Sequence, residues 1–121
     1  MTNDSSPALF PTRHRPLCRL DEIPDGGAKR FPPKPGEFTG LFAVRRGSAV
    51  HVYVNACPHI GTPLDWVPDK FLSADGTMIV CATHGAMFRI EDGVCTRGPC
   101  RGDSLEAVVV RVEDGVVMVP D

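Results

Sequence analysis

The sequence lacks the features that define several large classes of protein. Its 121 residues contain no apolar run approaching the roughly eighteen residues that a membrane-spanning helix needs. Thirteen basic and fifteen acidic residues nearly balance, which gives no electrostatic reason to expect a nucleic-acid partner. No Gly-x-Gly-x-x-Gly follows a predicted strand, so a dinucleotide site is not indicated. A membrane protein and a nucleic-acid-binding protein are therefore both disfavoured.

The start of the chain also lacks targeting signals. Residues 1–14 include Asp4, two prolines and no apolar run, which is unlike a secretory signal. Arg13-His14-Arg15 precedes no apolar segment and Arg45-Arg46 lies mid-chain, so neither supports twin-arginine export. We expect a cytoplasmic protein with a flexible N-terminal tail, 1–14, and one folded domain, 15–121.

Five cysteines are an odd number, which argues against a disulfide scaffold. Cys57 and Cys81 each lie within three residues of a histidine and are treated below. Cys18 lies in an alternating apolar segment and is expected to be a small core residue. Cys95 and Cys100 are close enough in sequence to be bridged, but a reducing cytosol favours free thiols.

Two short segments each offer one thiolate and one imidazole: Cys57-Pro58-His59 and Cys81-Ala82-Thr83-His84. Zinc sites with two cysteines and two histidines usually pair like with like, as Cys-x₂₋₄-Cys and His-x₃₋₅-His. Mixed segments suit two metals side by side, because each loop can send a short cysteine to an inner iron and a longer histidine to an outer one. The pattern favours a [2Fe–2S] centre held by Cys57, His59, Cys81 and His84, and a structural zinc site is the alternative.

With these ligands the chain resembles the Rieske iron–sulfur family, in particular its soluble ferredoxins. The resemblance covers residues 15–120 and implies an all-β fold: a small antiparallel barrel or sandwich with a cluster-binding lobe made of two hairpin loops. Gly98-Pro99-Cys100 resembles the family's third loop, which covers the cluster from the side. The residues expected around the cluster are Pro58, Ile60, Gly61, Thr62, Thr83, Gly85, Ala86, Phe88 and Pro99.

The resemblance also implies a low reduction potential. High-potential members carry two extra cysteines where this chain has Thr62 and Thr83, and a serine and a tyrosine where it has Ala86 and Phe88. Hydrogen bonds to cluster sulfur stabilise the reduced state, so the loss of both hydroxyls lowers the potential. We expect a midpoint near the bottom of the Rieske range of roughly −150 to +300 mV.

Alternating apolar residues and turn signals predict strands and no helix of ten or more residues. The proline-rich stretch 31–36 indicates a surface connection. The linker 63–76 is a few residues longer than in the ferredoxins that the chain resembles, and Trp66 and Phe71 are expected to pack it onto the barrel. The predicted strands are 15–23, 40–46, 49–56, 78–80, 87–90, 94–96, 105–113 and 116–119.

The resemblance implies an electron carrier rather than an enzyme, since the chain has no room for the mononuclear iron site that activates oxygen. Single electrons would come from a flavoprotein reductase and pass to a terminal oxygenase or another reductase. Three alternatives stay open: the small subunit of an assimilatory nitrite reductase, a redox sensor that changes partners, and a structural metal-binding domain. A partner is expected to dock on an apolar patch around the histidines, formed by Pro58, Ile60, Gly61, Ala86 and Pro99.

Overall fold

The computed structural model describes residues 14–58, 61–65, 67–83 and 85–120. Regular structure in these ranges consists of β-strands and one short 3₁₀ turn, Leu20–Glu22. None of the helical structure in these ranges is long and apolar enough to span a membrane. The strands are β1 (His14–Arg19), β2 (Ala28–Phe31), β3 (Leu41–Arg46), β4 (Ala49–Val54), β5 (Met78–Val80), β6 (Met87–Arg89), β7 (Cys95–Arg97), β8 (Ala107–Val108), β9 (Arg111–Glu113) and β10 (Val116–Pro120).

The strands form three antiparallel sheets, which confirms the predicted all-β class. Their strand orders are β1-β10-β9, β2-β3-β4-β8 and β5-β6-β7. The four-stranded sheet is central because its two faces are buried in two different apolar cores. Successive side chains of a strand point to opposite faces, so Phe42 and Val44 enter one core while Ala43 enters the other. In β4, Tyr53 likewise enters the core of Phe42, and Val52 enters the core of Ala43.

The core that contains Phe42, Val44 and Tyr53 also contains both candidate cysteine ligands. Phe71 of the long linker stacks on Phe42 with ring centroids 4.3 Å apart, which confirms that this aromatic residue packs the linker onto the sheet. Trp66, expected to do the same, lies outside the described residues. One face of the central sheet therefore packs in the core that contains Cys57 and Cys81, and the other face packs in a separate core.

The hairpin predicted around Arg46-Gly47 is present, with Arg46 opposite Ala49 across a two-residue loop. Four other predictions need correction. His14, expected in the flexible tail, is the first residue of β1 and pairs with Pro120, while residues 1–13 lie outside the described ranges. The strand predicted over 15–23 ends at Arg19, where the 3₁₀ turn begins.

Strand β2 was missed, and Phe31 ends it rather than beginning the surface connection. The single strand predicted over 105–113 is in fact two strands in different sheets. β8 pairs with β4, whereas β9 pairs with β10. Residues 107–110 are all apolar, and the alternation has the opposite phase before and after them, since Leu105 precedes Glu106 and Val110 precedes Arg111. This change of phase coincides with the change of sheet.

The buried hydroxyl of Tyr53 makes the stability of the protein depend on pH in the alkaline range. Its hydroxyl donates a 2.6 Å hydrogen bond to the Ile90 carbonyl, and burial, assisted by the charges of Asp92 and Glu91, raises its pKa to about 12. A raised pKa contributes stability that is complete below the unfolded value of about 10 and is lost as the pH rises through the folded value. We therefore expect the unfolding free energy of the wild type to fall between pH 10 and 12 by about 2 kcal/mol more than that of Tyr53→Phe.

The measurement is urea denaturation at pH 8, 10 and 12 for the wild type and for Tyr53→Phe. At pH 8 the variant should be about 1 kcal/mol less stable, because the Ile90 carbonyl loses its donor. Parallel pH profiles for the two proteins would show that Tyr53 is not the group responsible.

Candidate metal centre

The two loops that carry the candidate ligands have the same backbone hydrogen-bond pattern. In the first, which follows β4, the Cys57 N–H bonds to the Thr62 carbonyl at 2.8 Å and the Gly61 N–H bonds to the Cys57 carbonyl at 2.7 Å. In the second, which follows β5, the Cys81 N–H bonds to the Ala86 carbonyl at 2.8 Å and the Gly85 N–H to the Cys81 carbonyl at 2.9 Å. Each loop therefore starts with a cysteine and closes four and five residues later.

Glycine is favoured at the fourth position after the cysteine in both loops. Gly61 has φ 77° and Gly85 has φ 69°, in the left-handed region that side chains with a Cβ rarely adopt. The loops are tied to each other by a 2.9 Å hydrogen bond from the Ala82 N–H to the Leu64 carbonyl. Sequence reasoning found the cysteine–histidine pairs, but the equivalence of the two loops follows from these glycines and the hydrogen bonds.

The two cysteine side chains belong to one core together with apolar groups. Cys57 is 2% exposed and Cys81 is fully buried, and Phe88 and Ala86 belong to the same core. His59 and His84 lie outside the described residues, as does Ile60. The structure therefore describes the positions of the two predicted cysteine ligands, and the positions of the two predicted histidine ligands stay predictions.

A buried polar group supports the first ligand loop, and sequence reasoning missed it. The Asn55 side chain accepts a 2.9 Å hydrogen bond from the Leu64 N–H and donates one of 3.1 Å to Asp65. Both side chains are nearly inaccessible, at 4% exposure for Asn55 and 6% for Asp65. Arg30 of β2 lies 3.7 Å from the Asp65 carboxylate and partly balances its charge. The signal available in the sequence was an asparagine placed two residues before the ligand cysteine.

The third loop packs directly on the second ligand loop. A Cβ added to Gly98 would lie 2.9 Å from the Ala86 Cα, so the two backbones approach too closely for any other residue. Pro99 follows it and is exposed, as Gly61 and Thr62 are in the first loop. Ala86 was expected in the exposed docking patch, but it is fully buried because Gly98 covers it. Of the remaining neighbours, Pro58 and Thr83 are half-buried, Gly85 is exposed and Phe88 is buried.

The tight contact of Gly98 gives a prediction with an internal control. Gly98 and Gly102 both have positive φ, 97° and 93°, but nothing lies within 4 Å of a Cβ built on Gly102. Both alanine variants should lose about 1 kcal/mol from the unfavourable φ, and Gly98→Ala should lose a further 1–3 kcal/mol, roughly, from overpacking. Urea denaturation measures the difference. If the two variants are equally stable, the contact between Gly98 and Ala86 is not tight.

The remaining cysteines are free thiols. Cys18 is half-buried against the core on the other face of the central sheet, where burial raises its pKa. Cys95 and Cys100 are buried beside each other, and burial and then the hydrogen bond to Cys95 raise the pKa of the Cys100 thiol to about 12. The described residues contain no group of three His, Cys, Asp or Glu side chains that could hold a metal ion.

The donors that are described fit a [2Fe–2S] cluster. Two equivalent loops each offer a buried cysteine, sulfide-bridged iron prefers cysteine sulfur as a ligand, and an apolar surrounding limits the access of water. A cluster supplies one-electron transfer when bound. Cys57 and Cys81 would hold it in an apolar surrounding, and the third loop packs on the second ligand loop through Gly98.

Comparisons with known proteins agree with this reading. The profile of the Rieske [2Fe-2S] domain matches residues 14–112. No curated protein matches the chain. Fold and site thus define a small all-β iron–sulfur domain. The chain belongs to the Rieske [2Fe-2S] domain family, and its cofactor is a Rieske-type [2Fe-2S] cluster.

Solved structures with the same fold include two ferredoxins. The ferredoxin of carbazole 1,9a-dioxygenase from Nocardioides aromaticivorans IC177 has a TM-score of 0.72 at 25% identity, over 90% of this chain and 98% of that chain. The Sphingomonas yanoikuyae B1 ferredoxin has a TM-score of 0.69 at 26% identity, over 90% and 99%. The terminal oxygenase of carbazole 1,9a-dioxygenase from Novosphingobium sp. KA1 shares the fold at 22% identity and a TM-score of 0.71, but over only 30% of its length. The prediction of a Rieske-type ferredoxin fold is confirmed.

Proposed function

We propose that this protein is a cytoplasmic ferredoxin that carries single electrons from a flavoprotein reductase to a terminal oxygenase. The main support is its likeness to two ferredoxins over 98% and 99% of their lengths, one of them the ferredoxin of a dioxygenase. A further solved structure is a complex of reduced oxygenase and oxidised ferredoxin, and the fold of this chain matches a chain of that complex at a TM-score of 0.71. The transfer of electrons to an oxygenase is the function that these observations favour.

In this proposal Cys57 and Cys81 bind the inner iron, and His59 and His84 bind the outer one. The charges of two ferric ions, two sulfides and two thiolates sum to zero when both imidazoles are neutral. One added electron therefore gives the centre a net charge of minus one. An all-cysteine cluster is two units more negative and is therefore harder to reduce. Because Ala86 and Phe88 have no hydroxyl to donate to the sulfurs, the potential stays low within the Rieske range.

The exposed parts of the three loops would form the contact surface for the partner. Residues 57–64 and 81–88 carry no formally charged side chain other than their histidines. The third segment, 97–101, carries two, Arg97 and Arg101, on either side of Pro99. Both arginines are exposed, and neither forms an ion pair among the described residues. The contact surface would therefore be apolar at its centre and cationic at one side, which fits a partner with carboxylates around its redox centre.

Charge reversal tests this surface. Arg97→Glu and Arg101→Glu should each slow bimolecular electron transfer to the oxygenase about tenfold at low ionic strength, because attraction becomes repulsion. Arg46→Glu is the matched control: it changes the net charge equally, but it lies at the β3–β4 turn, at the opposite end of β4 from the ligand loop. Stopped-flow rates over a range of salt concentrations give the answer. Equal rates for all three variants would remove the arginines from the contact.

Reconstituted turnover tests the function itself. The holoprotein is reduced by NADH through a flavoprotein reductase, and a terminal Rieske oxygenase with its aromatic substrate is then added. The proposal predicts that the reduced protein is reoxidised and that product forms in proportion to the electrons supplied. Reduction without reoxidation by any oxygenase tested, combined with co-purification of a sirohaem protein, would instead identify a subunit of a nitrite reductase.

A further inference from the structure

Cys95 and Cys100 form a pair of thiols that the cluster does not require. Their sulfur atoms lie 3.0 Å apart, with the Cys100 S–H donating to the Cys95 sulfur. The Cys95 S–H in turn donates to the Arg97 carbonyl at 3.0 Å. Each residue is 2% exposed. The pair is thus enclosed and hydrogen-bonded, with its two sulfurs pointing at each other.

The backbone holds the two cysteines in this position independently of their side chains. The Cys95 N–H bonds to the Asp103 carbonyl at 2.7 Å, and the Gly102 N–H bonds to the Cys95 carbonyl at 3.2 Å. The Asp103 N–H bonds to the Cys100 carbonyl at 2.8 Å. A disulfide has a sulfur–sulfur distance of about 2.05 Å, so an approach of about 1 Å would complete the bond.

We propose that Cys95 and Cys100 are a site of reversible disulfide formation, with a low-molecular-weight disulfide such as oxidised glutathione as the oxidant. One cysteine thiolate attacks a glutathione sulfur, forms a mixed disulfide and releases one glutathione thiolate. The thiolate of the other cysteine attacks the protein sulfur of that mixed disulfide and releases the second glutathione. The two cysteines lose two electrons, which reduce the glutathione disulfide, and their two protons pass to the released thiolates.

The buried position of the pair determines the rate of thiol–disulfide exchange and the effect of the disulfide on the third loop. Both cysteines are buried, so exchange requires local opening of the fold and is slower than for an exposed thiol. Once formed, the bond fixes the two ends of the third loop, which carries Gly98 against Ala86 of the second ligand loop. Oxidation therefore stiffens the cover of the cluster without using a cluster ligand.

The test is a redox titration of the anaerobically prepared holoprotein in buffers of varied glutathione disulfide and thiol. Samples are quenched in acid, alkylated after denaturation, and mapped by mass spectrometry. We expect one peptide pair, containing Cys95 and Cys100, to lose both alkyl groups together. The change from about one tenth to about nine tenths disulfide should span roughly a hundredfold change in [GSSG]/[GSH]², as a two-thiol equilibrium requires. Dithiothreitol should reverse it.

Matched variants make the outcome decisive. Cys18→Ser should leave the titration unchanged, whereas Cys95→Ser and Cys100→Ser should each abolish the transition. Full alkylation of both cysteines in the most oxidising buffer, or bridging of either one to Cys18, would overturn the proposal. The readout is independent of electron transfer: it can succeed in a protein that no reductase or oxygenase recognises, and fail in a working ferredoxin.

Discussion

Replacement of Cys81 by alanine is expected to abolish the cluster. Cys81 is fully buried at the start of the second ligand loop, and its N–H bonds to the Ala86 carbonyl at 2.8 Å. Removal of its sulfur leaves Cys57 as the single thiolate of the proposed set, and sulfide-bridged iron is not held by one thiolate. Purified Cys81→Ala should contain no iron or acid-labile sulfide above background and should lack visible absorption.

A control separates the loss of a ligand from the loss of the fold. Cys18→Ala removes a thiol from the core on the other face of the central sheet and should keep its full iron content. Circular dichroism should show that Cys81→Ala retains its strands, because Val117 and Val119 of β10 belong to the core on the other face of the central sheet, which does not include Cys81. A red-brown Cys81→Ala protein with normal iron would remove this residue from the ligand set.

The second large effect concerns the histidines. A double variant, His59→Cys and His84→Cys, should bind a cluster whose midpoint potential is lower by roughly 200 mV or more than that of the wild type, itself expected near −150 mV. Two thiolates in place of two neutral imidazoles make the centre two units more negative, so the added electron meets more repulsion. Protein-film voltammetry measures both midpoints.

His51→Cys is the control for this pair, since His51 lies within β4 and outside the ligand loops. Its potential should equal that of the wild type. If the double variant also keeps the wild-type potential, the histidines do not bind iron. If it binds no cluster, His84→Cys alone should show a smaller fall in the same direction.

Local signals in the sequence were enough to predict several strands, and the same kind of signal carries the prediction of the ligand set. Each cysteine–histidine pair lies within one short segment, so its ligand types can be identified without knowledge of the fold. The β3–β4 hairpin was equally accessible, because Gly47 in a two-residue loop between alternating strands is a short-range signal. The bounds of β5 were predicted as observed for the same reason.

The missed features depend on contacts between distant residues. Strand β2 is half-buried along its whole length and shows no alternation, so its pairing with β3 defines it. Ala86 is buried because Gly98, twelve positions further along the chain, packs on its backbone. The Asn55–Asp65 hydrogen bond likewise spans ten positions. None of these could be inferred from periodicity or turn signals.

The central claim is that this chain binds two iron ions asymmetrically, through sulfur on the buried side and nitrogen on the outer side. Low-temperature EPR of the dithionite-reduced protein, with specific ¹⁵N labelling of histidine and pulsed detection, tests it most directly. The account predicts the signal of a one-electron-reduced [2Fe–2S] cluster with couplings to two histidine nitrogens, in a protein that contains two iron and two sulfide per chain. A reduced cluster without nitrogen coupling, or a colourless protein that contains zinc, would contradict it.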